Sequence, residues 1–346
     1  MVTHKSSYVW PLPGASQVGK LPTMSAELLP LKDAGPGTLA LPDLITREGR
    51  KTSKRFLEFF AANIRNPNTR IAYAHAVARF LHWCDERGLT LASIEPLHVA
   101  AYIERLTQER SPVTVKQHLA AIRGLFDWLV TGQSIPFNPA SSVRSPRYSI
   151  KQGKTPVLRV EEMRRFLEQM DTSSVIGLRD RALIGLMVYS FGRVSAITKM
   201  RVKDYFPKGK RFFIRLHEKG GKYHEVPVHH KAEAFLDAYL DAAGIVDEKN
   251  TPLFRSAGGR GRAFTKNAMS RFDAWAMVKR RAKEAGIVEE ISPHSFRATG
   301  ITAYLENGGT LEKARQIAAH ASSQTTKLYD RTSDTISLDE IERIAI

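Results

Sequence analysis

Apolar side chains recur at helical spacing from about Lys51 to about residue 130. The stretch TRIAYAHAVARFLHWCDER predicts one helix, with Asn68 as its N-cap and Gly88 at its end. Two further helices are predicted over about 96–109 and 113–130. We therefore predict an all-α domain over 49–140. An earlier helix in it is marked by Phe56, Leu57, Phe60 and Ile64.

The apolar pattern of the second half predicts helices around one small sheet. The run ALIGLMVYSFG at 182–192 is too short to cross a membrane and predicts a buried helix. RFFIRLH at 211–217 and HEVPVH at 224–229 predict two strands joined by a hairpin turn. The segment NAMSRFDAWAMVKRRAKEAG predicts another helix. We predict a mainly α domain with a small β-sheet (α+β) over 157–333.

Three segments fall outside these two domains. Residues 1–48 are rich in Pro and Gly and predict an arm that is either disordered or docked, not a domain. Residues 141–156 predict a basic linker. The sequence DTISLDEIERIAI at 334–346 predicts a short amphipathic helix, whose apolar face must be buried. Docking on its own catalytic domain and docking on a neighbouring protomer both remain open.

The charge composition of the chain indicates a polyanionic partner. The formal net charge is +17 at pH 7, which favours nucleic acid over a basic protein without such a partner. Cys84 is the only cysteine, so an intrachain disulfide and a multi-cysteine zinc site are excluded. Because the start lacks the apolar run of a signal peptide, and no segment is suited to a membrane, we expect a cytoplasmic protein.

Several basic side chains are candidates for contact with phosphates. The helical candidates are Arg70, Arg79, Lys116 and Arg123, those of the linker are Arg144, Arg147, Lys151 and Lys154, and Lys222 is a candidate at the tip of the predicted hairpin. The alternative for the helical residues is a solvated basic face, and for the linker residues a plain spacer. For Lys222 the alternative is a solvated hairpin tip.

The segment SPHSFR places two candidate catalytic groups on one helix face. Ser292 is a suitable N-cap, so His294 falls in the first helical turn and Arg297 one turn later. Amide groups and the dipole at a helix N-terminus favour an anion such as phosphate. Arg193, at a junction of two helices, is suited to bidentate phosphate contact, or to a buried pair with Asp180 or Asp204.

A tyrosine completes this candidate set. The hydroxyl of Tyr329 can attack a phosphodiester if nearby groups neutralise the developing charge and an acid protonates the leaving oxygen. The short polar residues after His320 can form a turn that brings the tyrosine back to the same phosphate. Lys219, at the tip of a predicted hairpin, is a candidate acid. Four histidines, at 217, 224, 229 and 230, do not form a compact ligand set, so we predict no metal. The sequence has no Gly-rich phosphate loop of the P-loop kind, which argues against NTP use, and we predict no cofactor.

These residues, in this order, resemble the catalytic set of the tyrosine recombinase (phage integrase) family. GRVSAI, EKGGKYHEVPV, PHSFRATGIT and AAHASSQTTKLYDR are similar to its conserved segments, and TRIAYAHAVARFLHWC to its N-terminal helical DNA-binding domain. The likeness covers nearly all of 50–346. Ala196 stands where the family usually has Glu, Ala319 where Gly is common, and Ala298 where His is frequent.

The resemblance implies a two-domain DNA clamp and site-specific DNA recombination through a 3′-phosphotyrosyl intermediate. Tyr329 is then the nucleophile, and Lys219 the acid at the leaving oxygen. The two arginines bind non-bridging oxygens, and the two histidines position the phosphate and assist proton transfer. The implied partners are duplex recombination sites, three further protomers in a tetramer on two sites, and accessory DNA-bending proteins. When free, the protein is expected to be a monomer or weak oligomer. A type IB topoisomerase and a DNA-binding regulator are the alternatives.

Overall fold

The structure is a computed structural model, and it describes residues 9–10, 39–147, 153–217, 223–258, 263–330 and 341–342. The chain divides into two compact units, with the boundary between Ser149 and Ile150. Both are mostly helical, and the second contains small sheets. The predicted fold class is therefore confirmed.

The first unit is a bundle of helices around one apolar core. Its helices are α1 (Asp43–Arg47), α2 (Gly49–Glu58), α3 (Pro67–Asp85), α4 (Pro96–Glu109) and α5 (Pro112–Thr131). A π-helical turn, Phe59–Asn63, extends α2, and two short strands, β1 (Val9–Trp10) and β2 (Leu39–Ala40), pair antiparallel.

Two local features of this unit differ from the sequence-based expectation. Helix α1 lies inside the segment that was predicted as an arm, and its Leu44 and Ile45 are buried in the core. The N-cap of α3 is Asn66, whose side chain accepts hydrogen bonds from the backbone N–H groups of Asn68 and Thr69. Asn68 was the wrong choice because Pro67 is already suited to the first helical position.

The second unit combines helices with two antiparallel sheets. The helices are α6 (Val160–Glu168), α7 (Val175–Ser190), α8 (Val194–Ile197), α9 (His230–Ala243), α10 (Arg271–Glu284), α11 (Pro293–Glu306), α12 (Leu311–Ile317) and α13 (Ser323–Lys327). The first sheet contains β3 (Tyr205–Lys208), β4 (Arg211–His217) and β5 (Tyr223–Pro227), and the second contains β6 (Arg255–Gly258) and β7 (Ala263–Ala268).

The sheets are more extensive than the single predicted hairpin. The β4–β5 pair is present as expected, with Ile214 opposite Val226 and both side chains buried. Strand β3 and the β6–β7 pair were not predicted. Strand β7 occupies the beginning of the segment that was predicted as helix, and α10 starts only at Arg271.

Close packing of α7 against α11 determines where the candidate residues meet. A Cβ atom at Gly300 would overlap the backbone carbonyl of Val188, so glycine allows the two helices to touch. Helix α7 ends at Ser190, directly before the turn that leads to Arg193. The approach therefore brings the end of α7 next to the middle of α11, one helical turn after Arg297.

Candidate active site

Helix α11 carries two of the predicted residues at its N-terminus. Ser292 is its N-cap, and the backbone N–H of Ser292 donates to Oγ of Ser295 at 3.1 Å. His294 lies in the first turn and is exposed, whereas the side chain of Arg297 is only 1% exposed. The predicted helix start is thus present; the group in its first turn is exposed, and the group one turn later is buried.

The buried guanidinium of Arg297 joins two separate turns. It donates to the carbonyl oxygen of Phe191 and, through Nη2, to that of Ala318 at 2.7 Å. Phe191 has a left-handed backbone with φ of 54°, and Ala319 has φ of 47°. The first turn leads into Arg193 and the second into His320. The guanidinium of Arg297 therefore connects the turn before Arg193 with the turn before His320.

Arg193 is half-buried and occupies the N-cap position of α8. Gly192 precedes it, and a Cβ there would lie 2.7 Å from the side chain of Ile197. Ala196, at the position where the family usually has Glu, is buried in the core of this unit.

The two carboxylates considered as partners for Arg193 bind other groups. Oδ2 of Asp204 accepts from the backbone N–H of Arg201 at 2.8 Å. Asp180 is fully buried. It accepts hydrogen bonds from three guanidinium groups, those of Arg179, Arg280 and Arg281.

His320 is held in one orientation by contacts to both ring nitrogens. Its Nε2 lies 2.6 Å from Nη2 of Arg297, and its Nδ1 lies 2.9 Å from Oγ1 of Thr326. Burial, followed by the positive charges of Arg297 and Arg193, lowers the pKa of His320 to about 3. The ring is therefore neutral at neutral pH.

Tyr329 meets both histidines. Its Oη lies 2.9 Å from Nε2 of His294. Its ring is stacked on that of His320, with 5.8 Å between ring centroids and an interplanar angle of 8°. The carbonyl oxygen of Tyr329 accepts from Oγ1 of Thr302 at 2.9 Å. The turn predicted from the short polar residues is the helix α13, and it returns the tyrosine to the cluster.

The charge state of His294 suits proton transfer. Partial desolvation, and then the positive charges of Arg297 and Arg193, lower the pKa of His294 below its usual value. A neutral imidazole has one unprotonated ring nitrogen, and Nε2 of His294 is within hydrogen-bond distance of the tyrosine hydroxyl. That nitrogen is a suitable acceptor for the phenolic proton.

Five of the six predicted catalytic residues belong to the part of the chain that the structure describes. Lys219 and Lys222 lie outside it. Thr302 and Thr326 were missed, although both hydrogen-bond to members of the cluster. Their only sequence signal is their position, one in the helix that begins with PHSFR and the other between His320 and Tyr329.

The basic side chains that were predicted to contact DNA differ in their contacts and exposure. Arg70 donates to the Ile64 carbonyl through Nε and Nη2, and Arg123 donates to the carbonyls of Ala140 and Val143. Arg79 is exposed and forms an ion pair with Glu109 at 2.6 Å. Lys151 lies outside the described residues. The remaining candidates, all exposed, are Lys116, Arg144, Arg147 and Lys154.

The histidines of the sheet region have structural contacts. Nε2 of His224 lies 3.0 Å from the carbonyl oxygen of Ile317, and the ring of His229 stacks on Tyr189. In the described part of the chain, no group of three or more His, Cys, Asp or Glu side chains is arranged to hold a metal ion. Among the same residues, no helix has the length and apolar character needed to cross a membrane.

Comparison with known proteins identifies the family. The family model described as "Phage integrase family" matches residues 156–335, and the one described as "Phage integrase, N-terminal SAM-like domain" matches residues 54–133. The chain belongs to the phage integrase family. The resemblance stated from the sequence is thereby confirmed.

Individual members of the phage integrase family support this assignment. Tyrosine recombinase XerD of Chlorobaculum tepidum is 30% identical over 293 residues, which cover 81% of this chain and 91% of that protein. A crystal structure of XerH site-specific recombinase bound to difH substrate has a TM-score of 0.63 at 20% identity, covering 87% of this chain and 94% of that one. A lambda integrase tetramer bound to a Holliday junction has a TM-score of 0.61 at 17% identity, covering 82% and 78%. The two structures share the fold.

Proposed function

We propose that this member of the phage integrase family is a site-specific DNA recombinase that cuts and rejoins duplex DNA through a 3′-phosphotyrosyl intermediate. The observation that carries the proposal is the 2.9 Å contact between Oη of Tyr329 and Nε2 of His294. Arg297 and His320 lie in the same cluster, so a nucleophile, a proton acceptor and a cation are assembled around one point.

The proposed cleavage step needs no external energy source. Oη of Tyr329 forms a bond to the scissile phosphorus and gives its proton to His294, while the bond from phosphorus to the 5′ oxygen breaks. Lys219 donates a proton to that oxygen and produces a 5′-hydroxyl. Arg193 and Arg297 stabilise the charge on the non-bridging oxygens. Attack by a 5′-hydroxyl on the phosphotyrosyl bond reverses the step and joins strands.

The proposed partners follow from the charge and from the family. A net charge of +17 suits a duplex DNA clamp formed by the two domains. A lambda integrase of the same fold forms a tetramer on a Holliday junction, which supports four protomers acting on two sites here. Action in the cytoplasm, on nucleoid DNA, and accessory DNA-bending proteins belong to the same proposal.

The two alternatives are an enzyme with similar chemistry and a regulator on a recombinase fold. A type IB topoisomerase would relax supercoiled DNA without a partner site, and a regulator would bind DNA without cutting it. The names of the relatives favour a recombinase. Cleavage that depends on one short DNA site distinguishes the recombinase from both alternatives.

The test is covalent trapping on a library of DNA sites with the Tyr329→Phe variant. This change removes the hydroxyl and keeps the ring, so site binding is expected to persist while the protein–DNA adduct disappears. Tyr304→Phe is the matched control, because Tyr304 packs edge-on against Phe191 in the apolar cluster. It should retain the adduct. An adduct formed by Tyr329→Phe would contradict the assignment of the nucleophile.

A further inference from the structure

The linker end of the second unit contacts the segment that carries the tyrosine. The backbone N–H of Gly153 donates to the carbonyl oxygen of Leu328 at 2.9 Å. Leu328 is the residue directly before Tyr329. A residue at the end of the basic linker is thus hydrogen-bonded to the peptide group that joins Leu328 to Tyr329.

Glycine at this position is required by the close approach of two backbones. A Cβ atom built on Gly153 would lie 2.7 Å from the carbonyl oxygen of Leu328. Real Cβ atoms do not approach backbone atoms so closely, so one of the two segments would have to move. Gly153 is not among the glycines with positive φ, and its backbone conformation is therefore open to alanine.

Helix α11 supports both the segment directly after the linker and the segment that carries the nucleophile. On α11, Oγ1 of Thr299 accepts from the backbone N–H of Leu158 at 3.1 Å, and Oγ1 of Thr302 donates to the Tyr329 carbonyl at 2.9 Å. Val157 packs against the apolar cluster that contains Tyr329. Residues 153–158 therefore contact the nucleophile segment at one end, through Gly153, and the helix that holds this segment at the other end, through Leu158.

We propose that Gly153 is a positioning residue for Tyr329. Its N–H fixes the Leu328 carbonyl, and its missing side chain lets the linker lie against the nucleophile segment. The inference deepens the proposed function, since it rests on Tyr329 as the nucleophile. Reacting groups must be aligned closely for attack, and a displacement of about 1 Å can lower a rate by roughly 100-fold.

The experiment compares Gly153→Ala with the wild-type protein on a DNA site selected by the library. Single-turnover formation of the covalent adduct, binding affinity and melting temperature are measured for each. We expect the first-order cleavage rate to fall by about 10- to 100-fold. The dissociation constant and the melting temperature should stay near their wild-type values, because Gly153→Ala removes no charged group and keeps the backbone N–H.

The matched control is Gly258→Ala. A Cβ there meets its nearest neighbour, a methyl group of Thr265, at 3.4 Å, so little has to move. This variant should cleave at the wild-type rate. Equal rates for Gly153→Ala and the wild type would overturn the inference. A loss in binding and melting temperature that matches the loss in rate would also overturn it, because Gly153 would then serve the fold alone.

A second readout is independent of DNA cleavage. 3-Fluorotyrosine placed at position 329 gives one fluorine NMR signal in the free protein. Gly153→Ala should shift or broaden that signal, and Gly258→Ala should leave it unchanged. If the wild-type protein forms no adduct, the proposed function fails, and the fluorine signal still decides the positioning role: an unchanged signal in Gly153→Ala rejects it.

Discussion

Nε2 of His320 accepts a hydrogen bond from the guanidinium of Arg297 across 2.6 Å. An arginine has no acceptor, so this ring nitrogen carries no proton. The proton of the neutral ring is therefore on Nδ1, which donates to Oγ1 of Thr326 at 2.9 Å. Arg297 thus determines the tautomer of a histidine that stacks on Tyr329, and Thr326 accepts the remaining ring proton.

Thr326→Val should disturb this arrangement. The change keeps the shape of the side chain and leaves the Nδ1–H of His320 buried without an acceptor, which costs about 1–3 kcal/mol. We expect a lower melting temperature and a slower single-turnover cleavage rate. Thr326→Ser restores the hydroxyl and should recover most of both. If the valine and serine variants behave alike, the hydroxyl does not hold His320.

The pKa of His320 predicts a loss of stability in acid. In the unfolded chain histidine has a pKa of about 6.5, and in the fold burial and the neighbouring arginine charges lower it to about 3. Below pH 6.5 the unfolded chain binds a proton that the folded chain does not, so stability falls as the pH falls. At about 1.36 kcal/mol per pH unit, this group removes about 2 kcal/mol between pH 6.5 and pH 5.

Urea unfolding at about pH 7.5 and about pH 5 measures this effect. The drop in the free energy of unfolding should be about 2 kcal/mol larger for the wild type than for His320→Gln, which does not titrate. The absolute stability of the variant does not matter, because only the difference between the two pH values is compared. An identical pH dependence in both proteins would contradict the lowered pKa.

The candidate site was largely predictable because its residues carry local signals. The N-cap Ser292 and the i, i+3 spacing define the face of α11, and the short residues after His320 predict a tight return to Tyr329. What joins them was not predictable. The contacts of Arg297 with the Phe191 and Ala318 carbonyls span 106 and 21 residues, and no local pattern encodes such contacts.

The fold was predicted less well where elements are short. Helix α1 has 5 residues and β6 has 4, so neither contains enough periods to show its spacing. Strand β7 has a mostly exposed pattern, which gives no alternation to recognise. Long elements fared better: α4, predicted over about 96–109, is Pro96–Glu109 in the structure. The tail helix predicted at 334–346 lies, apart from Ile341 and Glu342, outside the described residues.

Replacement of Ala319 by glycine should stabilise the fold. The φ of 47° at Ala319 lies in the left-handed region, which costs a residue with a Cβ roughly 1–2 kcal/mol. Ala319→Gly should therefore raise the free energy of unfolding by about 1 kcal/mol and preserve cleavage. Ala318→Gly is the control, because Ala318 has a φ of −77° and should lose stability on substitution. The prediction is wrong if both glycines destabilise the protein equally.

The basic linker should contribute affinity that does not depend on DNA sequence. Arg144, Arg147 and Lys154 are exposed, and Lys151 lies in the same stretch, which has no acidic residue. Neutralising all four to Gln should weaken binding to every duplex alike. The log–log salt slope should flatten by roughly 0.9 for each phosphate that the protein no longer neutralises, because fewer counterions are released on binding.

Binding isotherms at several salt concentrations, on one recombination site and one unrelated duplex, separate this linker effect from net charge. The control variant removes the same charge through four exposed lysines that were not assigned to DNA binding, namely Lys203, Lys210, Lys231 and Lys249. Its salt slope should change much less than that of the linker variant, because a long-range charge effect releases no bound counterion. Equal slopes for the two variants would show that residues 141–156 act only as a spacer.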